Sequence, residues 1–190
     1  MSQAKSLTDS ELKRLLTVVS SLRQGARNRL IIMFSHWSGM RVGEIASLKI
    51  SNVVNEDLSI KDSAKLDPDQ TKGSHYRTVH LPKKLQDEIS VFVKSIRITS
   101  VQQPLFSTQK KKSGFSANSL CSTMKTWYVL AGIDDGSSHS GRRTFLTKLS
   151  IKGFSARVLQ ELAGHRNLAT TQRYIDVNDE MKRNAIELIV

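Results

Sequence analysis

Residues 27–37 constrain the fold more than any other part of this 190-residue chain. Leu30, Ile31, Met33 and Phe34 leave that helical stretch apolar nearly all round, so other elements have to enclose it. The segment before it supplies one such partner. Thr8-Asp9-Ser10-Glu11 is a capping box, in which Thr8 caps the helix and Glu11 reaches back. Behind it Leu12, Leu15, Leu16, Val19 and Leu22 recur as a single apolar stripe. Gln24-Gly25 separates the two helices, Gly39 ends the second, and Arg41 opens a short helical stretch over 42–48.

Residues 50–82 change character. Val53-Val54, Leu58-Ser59-Ile60 and Thr78-Val79-His80-Leu81 read as short strands, with turn signals at Asp67-Pro68 and Lys72-Gly73-Ser74 between them. They predict a three-stranded antiparallel sheet with a hairpin near Gly73. Pro82 suits the first turn of a helix running to about residue 95. Residues 108–116, with Lys110-Lys111-Lys112, read as an exposed basic loop. Leu120, Met124, Trp127 and Ala131 then share a helix face. Further helices are expected over about 140–152, stopped by Gly153, over 155–163, stopped by Gly164, and over 168–174. The last is expected over 178–190, opened by Asn178-Asp179-Glu180. The expected class is α+β, mainly α, in a single domain over 1–190 with a helical core and that small sheet.

Lys and Arg total 29 against 17 acids, a net charge of +12. Such an excess points first to a polyanionic partner, nucleic acid before membrane, because neutralised phosphates release counterions. Cys121 is the only cysteine, which excludes an intrachain disulfide. No apolar run approaches the length of a bilayer span and the first residues lack a signal-peptide core, so a cytoplasmic protein is expected, with no membrane partner.

Against that background the polar residues fall into an informative order. Arg41 lies in Ser38-Gly39-Met40-Arg41-Val42-Gly43-Glu44, and Arg142 in His139-Ser140-Gly141-Arg142. Tyr174 follows His165 by nine residues in Leu162-Ala163-Gly164-His165-Arg166-Asn167-Leu168-Ala169-Thr170-Thr171-Gln172-Arg173-Tyr174. Taken singly, each is an ordinary surface or capping residue. Together they match a chemical need. Breaking a DNA phosphodiester with a protein nucleophile builds negative charge on the non-bridging oxygens of a five-coordinate phosphorus, and preorganised donors stabilise it. Arginine's planar fork stays charged and binds two phosphate oxygens at once. A phenol, with a pKa of about 10, needs a base or a positive field to attack.

These segments resemble the tyrosine recombinases, the phage integrase family. The Arg41 segment is similar to that family's first arginine box. Lys72 on a hairpin is similar to its mobile lysine, 139–144 to its His-x-x-Arg box, and 162–174 to the segment ending in its nucleophile. The resemblance implies the catalytic domain of such an enzyme. Arg41 and Arg142 would clamp the scissile phosphate, with His165 donating to the same oxygens. Lys72 would protonate the leaving 5′ oxygen. His139 would take the proton from Tyr174, which attacks and stays joined to the 3′ phosphate. Glu44, three residues from Arg41, would orient it. Arg142 rather than Arg143 keeps the spacing of one helical turn from His139. No cofactor or metal is implied, and no HExxH or clustered cysteine pattern is present.

Double-stranded DNA is thus the expected partner, with self-association into a tetramer on two DNA sites, the helix over 178–190 docking on a neighbour, and accessory DNA-bending proteins as further partners. The first arginine box arrives after two helices, so no N-terminal core-binding domain is expected within this chain. A minimal enzyme and a fragment of a longer integrase both fit. The outcome of catalysis would be integration, excision or inversion. Type IB topoisomerase-like strand relaxation and a non-catalytic DNA-binding regulator of the same fold stand as alternatives.

Overall fold

The computed structural model describes residues 4–71, 73–108, 113–175, 182–183 and 186–187. Its first helix, α1 (Asp9–Ser21), begins as the sequence predicts. Thr8 Oγ1 accepts from the Glu11 amide while Glu11 Oε2 accepts from the Thr8 amide, and Leu12, Leu15, Leu16 and Val19 turn inward. Helix α2 (Gly25–Trp37) is enclosed as its composition demands. Residues 30–34 are all within 1% of complete burial, and the helix packs against α1, α3 (Val42–Ala46), α5 (Lys83–Ser95) and α7 (Ser140–Ile151). It is the axis of the main core.

The sheet is smaller than expected. Among the described residues it has two strands, β1 (Ser63–Leu66) and β2 (Arg77–His80), paired antiparallel with Ser63 opposite His80 and Leu66 opposite Arg77. The expected strand at Val53-Val54 is instead the end of a short helix, α4 (Ile50–Val53), and only a lone bridge joins Val54 to Ile60. Leu58, expected in a strand, sits in the left-handed region at φ 65° and is exposed, which marks a turn. β-branched residues suggested a strand, but burial of Ile50 and Val53 on one helical turn won. The actual partner of β2 alternates Ala64 and Leu66 inward with Lys65 outward, from residues with weak strand preference.

The connection between the strands is pinned from below. In the 3₁₀ turn Pro68–Gln70, the buried Gln70 Nε2 donates to Ser47 O at 2.6 Å and to Asn52 Oδ1 at 3.0 Å. Pro82 caps α5 rather than entering it. Helix α6 (Ala117–Leu130) buries Leu120, Met124 and Trp127, the expected face. Helices α7, α8 (Ala156–Ala163) and α9 (Leu168–Gln172) then build a second, smaller core around Leu146, Leu159 and Ala163, against which Phe145, Leu149, Tyr174 and Ile175 pack. Of the helix expected over 178–190, residues 182–183 and 186–187 are described and helical; the rest of it and Lys110-Lys111-Lys112 lie outside the described residues. Among the described residues no helix is long and apolar enough to cross a membrane.

Where α7 crosses α2 the two backbones come close because residue 141 has no side chain. A Cβ at Gly141 would stand 2.2 Å from Ser35 Oγ and 2.7 Å from His36 Nδ1. Gly141→Ala therefore forces the helices apart and is expected to cost about 1–3 kcal/mol, as overpacking does. Gly43→Ala, whose added carbon would meet Ala117 Cβ at 3.7 Å, is expected not to destabilise. Urea melts of both variants provide the measurement.

Candidate active site

Helix α8 ends at Gly164, whose φ of 61° lies in the left-handed region and lets the chain turn back after one residue. The last carbonyls of any helix lack intrahelical donors and carry the negative end of its dipole. Here three arginines from three distant segments meet that end. Arg77 Nη2 donates to Leu162 O at 2.9 Å, Arg142 Nη2 to Ala163 O at 2.6 Å, and Arg41 Nη2 to Gly164 O at 3.0 Å.

Each guanidinium is held from a second side. Arg142 Nη1 donates to Gly39 O at 2.8 Å, and its side chain is almost wholly buried at the start of α7. Arg41 caps α3. Its amide donates to Glu44 Oε2 at 2.8 Å and its Nη1 to Glu44 Oε1 at 2.9 Å. Arg77 Nη1 also donates to Glu44 Oε2, so one carboxylate, 1% exposed, serves two arginines. Burial pushes the Glu44 carboxyl up, but Arg77 and Arg41 outweigh it and hold the group below the usual carboxylate range. Arg142 is lowered to about 9 by burial and by the neighbouring charges of Arg41 and Arg77, and so remains cationic near neutrality. Three cations against one carboxylate leave an excess of positive charge suited to an anion.

His165 follows the turn at Gly164. Its Nε2 lies 2.8 Å from Arg142 Nη2 and its Nδ1 2.9 Å from Thr171 Oγ1. Burial, then the charges of Arg142, Arg41 and Arg77, lower it to about 4, so the ring is neutral at physiological pH. Tyr174 stacks on it, with ring centroids 5.8 Å apart and planes 20° from parallel. The Tyr174 amide donates to Thr171 O at 2.9 Å, which sets the distance between α9 and the phenol. The guanidinium of Arg143 lies 5.9 Å from the Tyr174 ring centre. Neighbours in sequence thus separate in space, Arg142 going to the buried carbonyls and Arg143 to the phenol.

Arg41, Glu44, Arg142, His165 and Tyr174 are therefore drawn together. His139 makes no hydrogen bond or ring contact with them: it stands at the N-terminus of α7, exposed, and its amide donates to Ser137 Oγ. Lys72 lies outside the described residues; the next residue, Gly73, gives its carbonyl to Arg166 Nη2 at 2.7 Å, one position beyond His165. Sequence reasoning missed Arg77 and Thr171. Arg77 was within reach of it, because extending the strand at 78–81 by one residue puts Arg77 on the face of Val79 and Leu81. Thr171 stood in the segment that resembles the family's, as half of a Thr-Thr pair, but was assigned no role. An open cleft of about 670 Å³, lined by Trp37, Leu81, Phe145, Leu149, Leu162 and His165 among others, flanks the cluster. Among the described residues no group of three or more His, Cys, Asp or Glu side chains could hold a metal ion.

The pattern that describes the phage integrase family matches residues 5–181. Tyrosine recombinase XerA of Thermococcus kodakarensis is 35% identical over 183 residues, which cover 96% of this chain and 62% of that protein. XerA of Pyrococcus furiosus is 33% identical over 187 residues, covering 96% and 61%. The chain thus spans about six-tenths of the length of these relatives. A crystal structure of XerA recombinase superposes with a TM-score of 0.77 at 25% identity, covering 99% of this chain and 66% of that one. XerH site-specific recombinase bound to its difH substrate in a pre-cleavage complex has the same fold, with a TM-score of 0.71 at 23% identity, covering 98% and 55%.

Glu44→Gln leaves the buried Arg77 without its counter-charge and is expected to destabilise the protein by about 3–5 kcal/mol. The sign with pH follows from the lowered folded pKa. The stabilisation is complete above the reference value of 4.5 and is lost as pH falls through the folded one. Urea melts of the two proteins should therefore diverge at pH 7 and converge in acid.

Proposed function

The chain belongs to the phage integrase family, and from that premise we propose that it cleaves and rejoins DNA strands through a 3′-phosphotyrosyl intermediate on Tyr174, as a site-specific recombinase. The observation that carries this reading is the gathering of Arg41 and Arg142 at the end of α8, with the Tyr174 ring stacked on His165 beside them. Residues 1–190 would act as one catalytic unit.

In this reading the non-bridging oxygens of the scissile phosphate enter between Arg41 and Arg142. Both guanidiniums are already fixed by carbonyls, so little reorganisation accompanies charge development. The Tyr174 oxygen attacks phosphorus and loses its proton to His139; the P–O5′ bond breaks and O5′ takes a proton from Lys72. His139 is exposed at the head of α7, one helical turn from Arg142. Arg143 beside the ring supplies positive charge where the phenolate forms. His165 donates to the phosphate, and a free 5′ hydroxyl reverses the reaction without an external energy source because the phosphotyrosyl bond retains the energy of the linkage.

The partners follow from the same reading. Double-stranded DNA is attracted by the charge of +12. Exchange between two duplexes calls for a tetramer, with the segment over 178–190 docking on the adjacent protomer, and DNA-bending proteins would bring the sites together. The work is placed in the cytoplasm.

Nicked suicide duplexes tiled from the DNA flanking its own gene test this. The wild-type protein should form a denaturation-resistant adduct, and Tyr174→Phe should form none; an adduct that persists in Tyr174→Phe moves the nucleophile elsewhere. Arg142→Ala should keep DNA binding within a few-fold and slow cleavage by about 10²–10³, the usual worth of one preorganised oxyanion donor. A circle carrying one site that is merely relaxed, with no exchange between two sites, would point to topoisomerase activity instead.

A further inference from the structure

The hydrogen bonds of His165 identify its tautomer. A guanidinium N–H can only donate, so the Nε2 atom 2.8 Å from Arg142 Nη2 presents a lone pair. The single proton of the neutral ring then sits on Nδ1 and is donated to Thr171 Oγ1 at 2.9 Å. In that state the ring cannot donate through Nε2, which is the atom facing the guanidinium cluster. The proposed function, on which this inference rests, needs a donor there.

We propose that His165 exchanges tautomers when a phosphate enters, from Nδ1–H to Nε2–H, and that Thr171 is the positioning residue that permits both states. A hydroxyl carries one donor and two acceptor sites and rotates freely between them. With the free protein it accepts from Nδ1–H; with phosphate present it donates to the Nδ1 lone pair while Nε2–H points to the phosphate oxygen. One proton leaves Nδ1 for solvent and one arrives at Nε2, so the ring stays neutral. The side chain of Thr171 is completely buried on α9, which holds its hydroxyl against the ring. Its carbonyl also accepts from the Tyr174 amide, which ties the switch to the nucleophile's segment.

Protonation of the whole ring is the competing route, and the surroundings oppose it. Arg142 and Arg143 face His165 and Tyr174 from α7, Arg41 from α3 and Arg77 from β2, with Glu44 as the carboxylate among them. A phosphate beside the ring favours its charged form. Burial, then the charges of Arg142, Arg41 and Arg77, hold the ring well below its usual value, and a phosphate already clamped by those arginines offsets only part of that.

Nitrogen-15 correlation spectra of histidine-labelled Tyr174→Phe protein read the tautomer directly. His165 should be Nδ1–H in the free protein and Nε2–H with the duplex that traps the wild-type adduct. Thr171→Val should leave DNA binding unchanged and slow cleavage about tenfold, the worth of one buried hydrogen bond, and Thr171→Ser should restore most of the rate. An Nε2–H ring in the free protein, an imidazolium in the complex, or full activity of Thr171→Val would each overturn the switch. His165→Ala cleaving at the wild-type rate would instead remove the donor role itself, and the switch with it.

Discussion

Three consecutive carbonyls at the end of α8 hold the centre of this protein together. Leu162, Ala163 and Gly164 are the groups that a helix leaves without partners, and each accepts from a different arginine. The arrangement solves two problems at once. The helix end is satisfied, and guanidiniums that could not otherwise be buried acquire fixed acceptors and a favourable dipole. Glu44 then reduces the repulsion among them by binding Arg41 and Arg77 together. Without the turn that Gly164 permits, the three carbonyls would not be presented to one point.

Around that centre the fold and the chemistry depend on each other. Arg142 is sunk to the level of Gly39 because α7 lies close against α2, which the absence of a side chain at residue 141 allows. The nearly all-apolar surface of α2 requires that closeness for its own burial. The guanidinium groups are therefore positioned before any ligand arrives, with the main core as their support. The second core does the same for the phenol, packing Tyr174 and Ile175 against Leu146, Leu159 and Ala163.

Local signals in the chain were reliable wherever local physics decides. The capping box at Thr8, the stripe of α1, the enclosed α2 and the inward face of α6 all stand as their periodicity implies. Residues 50–66 misled, because Val53-Val54 and Leu58-Ser59-Ile60 carry strand-forming side chains but occupy a helical turn and a left-handed turn. The real strand, Ser63–Leu66, is written in Ala and Lys, residues whose preference is weak and whose role comes from Arg77–His80 opposite. Arg77 escaped notice for a related reason: an arginine next to a strand looks solvated until its inward register is known.

The sequence alone determined which groups are available and in what order: two arginines with imidazoles and a phenol at helix boundaries, in the pattern of one family. It determined the longer of the described helices as well, since capping and apolar periodicity act over a few residues. Tertiary structure decided which of those groups meet. The contacts that fix Arg41 and Arg77 span 123 and 85 residues, and Arg142 and Arg143 part company although they are neighbours. Such contacts depend on where the end of α8 falls against α2, α3 and β2, a matter of packing between elements that no window of sequence contains.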